Sequence, residues 1–181
     1  MADNLTGNPE HYCPPPYAFK GSLSGDALRI GIICATFNER ITKSLLMGCY
    51  DGLTTHAVAN QNIATYWVPG AFEIPVVAEN IFPNYDALIA IACVIKGDTP
   101  HFDYVCDAIT QGMTLANATH KKPGVFCVLT TNTVDEAMAR SKPNCPSNKG
   151  YEAALGAIEM ANLLAGEYTS PSHNQANTPH C

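Results

Sequence analysis

Residues Asp86 to Val105 read DALIAIACVIKGDTPHFDYV, and this stretch decides the fold. Its first half, Asp86 to Ile95, is a nearly continuous apolar run without alternation, the mark of a strand covered on both faces. Its second half opens a helix. Pro100 suits the first helical position, Thr99 the N-cap, and Val105, Ala108, Ile109, Gly112 and Ala116 the buried face. A doubly covered strand that runs into a helix is half of a right-handed parallel crossover, so more such units are expected on either side.

They are present. Arg29 to Ala35 (RIGIICA) reads as a buried strand, followed by Ile41, Leu45, Leu46, Cys49 and Leu53 at helical spacing. Asn62 to Val68 is a further strand ended by Pro69-Gly70, and the helix behind it begins near Glu73 and stops before Pro83. Gly124 to Leu129 is the last strand. A short helix near Thr133 to Arg140 follows it, then a final helix from Lys149 to Ala165 with Tyr151, Ala154, Leu155, Ile158 and Ala161 on one stripe. The expected fold class is α/β, a three-layer α/β/α sandwich around a four-stranded parallel sheet. Residues 1–26, with Pro14-Pro15-Pro16, read as an extended N-terminal arm, 27–166 as one globular domain, and 167–181 as a disordered C-terminal tail.

Composition narrows the function. With 181 residues, 46% of them apolar and 14% charged, the chain can bury a full core and is neither disordered nor coiled coil. Ten Lys and Arg stand against 16 Asp and Glu, and no basic cluster exceeds Lys121-Lys122, which argues against a nucleic-acid surface. The longest apolar run falls short of the ~20 residues of a membrane span, and the start lacks a secretory pattern, so a cytoplasmic protein is expected. Eight cysteines contain no CxxC pair, which leaves no metal site, and Cys34, Cys93 and Cys127 fall inside apolar runs where a thiol is inert.

In parallel sheets ligands bind beyond the carboxyl ends of the strands, which directs attention to Thr36-Phe37-Asn38, Pro69 to Glu73, Lys96 to His101 and Thr130 to Thr133. The turn Lys96-Gly97-Asp98-Thr99 offers free N–H groups and a hydroxyl to an anion. His101 stands beside it as an imidazole able to take or give a proton near pH 7. Gly70 and Ala71 let a flat ligand approach the backbone, Phe72 can cover a ring, and Glu73 can accept hydrogen bonds from a polyol. Phe37 is an aromatic at a loop tip, and Arg140 can reach an anion or simply complement its own helix. The sequence has no GxSxG, GxxxxGK[ST] or GxGxxG motif to support nucleophilic hydrolysis, nucleotide hydrolysis or hydride transfer.

Together VPGAFEIP at Val68 to Pro75, IKGDTPHFDYV at Ile95 to Val105, GVFCVLTTNT at Gly124 to Thr133 and NKGYEAALGAIEMANLL at Asn148 to Leu164 are specific. Over Leu28 to Leu164 the chain resembles the 6,7-dimethyl-8-ribityllumazine synthase family. The resemblance implies a flavodoxin-like fold and a transferase of the penultimate step of riboflavin biosynthesis. In that step 5-amino-6-(D-ribitylamino)uracil and 3,4-dihydroxy-2-butanone 4-phosphate condense to 6,7-dimethyl-8-ribityllumazine, phosphate and water, without a cofactor.

By position, Phe37 then matches the ring-stacking aromatic with Asn38 beside it, and Ala71, Phe72 and Glu73 the pyrimidine and ribityl site. Val94, Ile95 and Lys96 match the strand end along the pyrimidine, while Gly97, Asp98 and Thr99 match the phosphate loop. His101 matches the proton-transfer histidine and Arg140 the phosphate-binding arginine. Phe126 and Lys149 match residues contributed by the adjacent chain of a homopentamer. The resemblance further implies that the arm lies on a neighbour's sheet, that pentamers can build an icosahedral shell of sixty chains, and that riboflavin synthase is a partner. Two departures stand out: Thr36, where many members carry arginine, and Ser141 to Ser147 (SKPNCPS), longer than in shell-forming members. Two other readings share these motifs, an archaeal-type riboflavin synthase and a flavin-binding or shell-forming protein without turnover.

Overall fold

The computed structural model describes residues 18–143, 145 and 147–169, leaving most of the expected arm and tail outside the described residues. The elements, in chain order, are β1 (Lys20–Gly21), β2 (Ile30–Ala35), α1 (Glu39–Thr55), β3 (Ile63–Val68), α2 (Ile74–Ile81), β4 (Ala87–Ile95), α3 (His101–His120), β5 (Gly124–Thr131), α4 (Val134–Arg140), α5 (Lys149–Ala165) and β6 (Tyr168–Thr169). Strands β3-β2-β4-β5 form a four-stranded sheet, parallel throughout. Its centre is the stretch from which the reading began. β4 pairs with both β2 and β5, and Leu88, Ile89 and Ile91 have no exposed surface. Each such side chain contributes about 1.5–3 kcal/mol of burial.

The pleat sends alternate residues to opposite layers. Ile30, Ile32, Cys34, Ile89 and Ile91 face a core completed by Leu45, Cys49 and Leu53 of α1 and Ala154 and Ile158 of α5. Ile33, Leu88 and Ala90 face Ile74 and Ala78 of α2 and Ile109 and Met113 of α3. The outcome is the expected three-layer α/β/α sandwich, with the loops that follow β2, β3 and β4 gathered at one edge.

Three local expectations are corrected. The buried face of α3 is Ile109, Met113 and Ala116; Val105, Ala108 and Gly112 are only half-buried, Val105 because it borders a cavity. On α5 the buried stripe adds Ala153, Ala157 and Asn162 and leaves Tyr151 and Leu155 half-buried. This helix packs on α1 as well as on the sheet, and small residues permit both contacts, as where Gly52 faces Ala154. Strand β5 continues past Leu129, since Thr130 and Thr131 still pair with Val94 and Ile95.

The ends meet. Lys20 and Gly21 pair antiparallel with Thr169 and Tyr168, and the Asn162 amide donates to the carbonyls of Ser22 and Ser24, both at 2.8 Å. Residues 20–24 of the expected arm and 168–169 of the expected tail are thus ordered against α5.

Candidate active site

The loop after β2 is held on both sides. Thr36 donates its N–H to Val68 at 2.8 Å and its hydroxyl to Pro69 O at 3.1 Å, and Phe37 N–H reaches the same Pro69 carbonyl at 3.0 Å. Asn38 adopts the left-handed region (φ 58°), which asparagine tolerates better than most residues, and its amide donates to Cys93 O at 2.9 Å. Between these two anchors the Phe37 ring remains 69% exposed. An aromatic so exposed on so fixed a backbone has a face free to stack on a flat ring.

The loop after β3 runs through Gly70 in extended conformation into a single helical turn, Ala71–Glu73, continuous with α2. A Cβ on Gly70 would lie 3.1 Å from a Glu73 carboxylate oxygen, so glycine leaves room for that carboxylate to fold back over the loop. After β4, Pro100 takes the cap position of α3 with φ −63°, and no side chain caps the helix, contrary to the role expected of Thr99. Proline has no N–H to satisfy and its fixed φ starts the helix unaided. His101 follows at the first helical position, exposed.

These loops enclose one cavity of about 670 Å³. Of the residues read from the sequence, Phe37, Ala71, Phe72, Glu73, Val94, Ile95, Gly97, Thr99 and His101 line it. Cys93, Phe102 and Val105 line it too and were missed: the apolar character of Cys93 and Val105 marked them only as core, and Phe102 was given no role. Burial pushes the Cys93 thiol up to about 11, so it faces the cavity protonated rather than as a nucleophile. Asn38, Lys96 and Asp98 are not in the lining. The Asn38 amide is committed to the Cys93 carbonyl, while Lys96, whose N–H bonds Thr131 O at 2.9 Å, and Asp98 lie exposed beside the cavity.

Phe126, Arg140 and Lys149 lie elsewhere. With Thr130, Thr131 and Glu152 they line a separate cavity of about 400 Å³ on the outer side of β5. Reciprocal bonds at the start of α4, Glu136 N–H to the Thr133 hydroxyl and Asn132 N–H to the Glu136 carboxylate, hold the helix that ends in Arg140. The guanidinium spends one N–H on Glu136 O at 2.9 Å, and Lys149 Nζ lies 2.6 Å from a Glu152 carboxylate oxygen. The sequence reading placed only Phe126 and Lys149 on the neighbour's side. Arg140 shares their cavity, not that of His101.

Thus Phe37, Glu73 and His101 share one cavity, and Arg140 and Lys149 line another. A family model for 6,7-dimethyl-8-ribityllumazine synthase matches residues 27–165, spanning both cavities. The chain belongs to the 6,7-dimethyl-8-ribityllumazine synthase family. The family is one of transferases of riboflavin biosynthesis acting on small molecules, and the four-stranded parallel sheet of this member fits it. Among the described residues of this lumazine synthase family member, no helix is long and apolar enough to cross a membrane.

Proposed function

We propose that the protein condenses 5-amino-6-(D-ribitylamino)uracil with 3,4-dihydroxy-2-butanone 4-phosphate in a site made from the first cavity of one chain and the second cavity of its neighbour in a homopentamer. The observation that carries this reading is the division of the chemistry between two cavities, neither of which is sufficient alone. A neutral ring and its ribityl hydroxyls match Phe37, Ala71, Phe72 and Glu73, whereas a phosphate needs cations, and the first cavity has none in its lining while Arg140 and Lys149 line the second.

In this reading the pyrimidine stacks on Phe37 with its edge along Val94 and Ile95, and the Glu73 carboxylate accepts ribityl hydroxyls. The free amine attacks the ketone of the butanone phosphate, and loss of water gives an imine. His101, at the rim beside Gly97 and Thr99, removes a carbon-bound proton as the phosphate leaves, then returns a proton during ring closure, which expels water. Arg140 and Lys149 of the neighbour neutralise the departing phosphate, with Phe126 closing the apolar side. The six free cysteines among the described residues fit a reducing compartment, the cytoplasm in this reading.

The test is an absorbance and fluorescence assay of purified protein with both substrates. The expected result is lumazine and phosphate appearing in step above the uncatalysed rate. Neither product from an intact oligomer refutes the reaction, and riboflavin formed from lumazine alone would replace it with a dismutation.

A further inference from the structure

Asn148 lies eight positions after Arg140 and one before Lys149, and with Ser141 it is one of two buried residues in the connection between α4 and α5 among the described residues. Its side chain has no exposed surface and uses both ends. The amide nitrogen donates to Ser44 O in α1 at 3.1 Å and to Lys142 O just beyond α4 at 3.0 Å, and the amide oxygen accepts Gly150 N–H at 2.8 Å, capping α5. The Ser44 hydroxyl in turn donates to Ser141 O.

The surroundings are cut to this side chain. A Cβ on Gly48 would fall 2.5 Å from the Asn148 amide, and one on Gly150 would fall 1.9 Å from Leu45 O. Both glycines therefore let α1 come close enough for its Ser44 carbonyl to be reached. One amide thus ties the end of the helix carrying Arg140 and the start of the helix carrying Lys149 to a third, fixed helix. We infer that Asn148 is a positioning residue that sets Arg140 and Lys149 in register for a phosphate, an inference that rests on the assignment of these cations to the phosphorylated substrate. Capping alone would not need asparagine, since serine caps as well. The two bonds to Ser44 and Lys142 carbonyls require the amide nitrogen.

The variants Asn148→Ser, which keeps the cap and loses the bridge, and Asn148→Ala, which loses both, separate these roles. Steady-state kinetics of the intact oligomer should show KM for the butanone phosphate raised about tenfold in both variants, while KM for the pyrimidine moves less than about threefold. Inorganic phosphate, titrated by calorimetry, should bind Asn148→Ser about tenfold more weakly than the unmodified protein. Amide hydrogen exchange should speed up in residues 141–148 and stay unchanged in α2 and α3. Asn148→Ser matching the unmodified protein in both phosphate measurements, or both KM values rising together, overturns the inference. If the unmodified protein binds phosphate but forms no lumazine, the assigned reaction fails, and the phosphate titration still decides the role of Asn148.

Discussion

Coexpression of a His101→Ala chain with an Arg140→Ala chain should restore activity that neither variant has alone. Each substitution removes one side of the chemistry. Loss of a general acid-base group costs about 10²–10⁴ in rate. Loss of a charge-assisted contact to phosphate costs about 1.5–3 kcal/mol, or roughly ten- to more than a hundredfold. His101 and Arg140 line different cavities, so in the proposed pentamer every site would draw one half from each of two neighbouring chains. In rings mixed at random in equal amounts, about one site in four pairs the His101 side of an Arg140→Ala chain with the Arg140 side of a His101→Ala chain. Such a site is intact, so the mixture should reach about a quarter of full activity by the coupled lumazine and phosphate assay. A reciprocal control mixes the unmodified chain with the double variant. Activity should fall to about a quarter if halves are shared between chains and only to about a half if each chain holds a whole site. A mixed sample no better than the mean of its two parents, together with a control at one half, would refute the shared site.

Phe37→Ala should raise KM for the pyrimidine about two- to tenfold by removing a stacking contact, with the melting curve unchanged, since the ring is mostly exposed. An unaltered KM would detach Phe37 from the substrate. Gly150→Ala should destabilise the fold by about 1–3 kcal/mol in urea titrations, because the new Cβ meets Leu45 O at 1.9 Å and α1 and α5 must part. Stability should also fall on the alkaline side. Burial pushes Cys34 and Cys127 up to about 12, against an ordinary 9.0, so the folded state keeps protons that the unfolded chain releases. Their stabilisation is complete below pH 9 and is lost as the pH climbs towards 12, about 1 kcal/mol per thiol by pH 10; equal urea midpoints at pH 8 and pH 10 would contradict this. The Ser147 hydroxyl draws the Cys145 thiol down, so iodoacetamide at pH 8 should label Cys145 before Cys34, Cys49 or Cys127, with peptide mapping as the readout.

Much of the site could be read along the chain because the ligand-facing loops are short and each follows a strand directly. Phe37, Glu73 and His101 lie two, five and six positions beyond the ends of β2, β3 and β4, so fixing the strand ends fixed which loops share an edge of the sheet. Cys93, Phe102 and Val105 were invisible as lining for the opposite reason. An apolar side chain carries the same pattern whether it meets a neighbour or a cavity wall, and only packing tells the two apart. Asn38 was misjudged in a similar way. Its polarity and position suggested a ligand contact, whereas the free carbonyl of Cys93, at the end of the adjoining strand, takes its amide.

What the amino-acid sequence determined by itself was the class of fold, the order of its units and the family. Uninterrupted runs such as Ala87 to Ile95 can be buried only between two layers, and spacing along each following helix is a local property of the chain. What the tertiary structure alone decided was which chemistry shares a cavity. The placement of Arg140 with Lys149 depends on α1, α4 and α5 meeting around Asn148, through carbonyls of Ser44 and Lys142 brought together from distant parts of the chain. No periodicity encodes such a meeting, because it arises from close packing between elements and not from the order of residues within one.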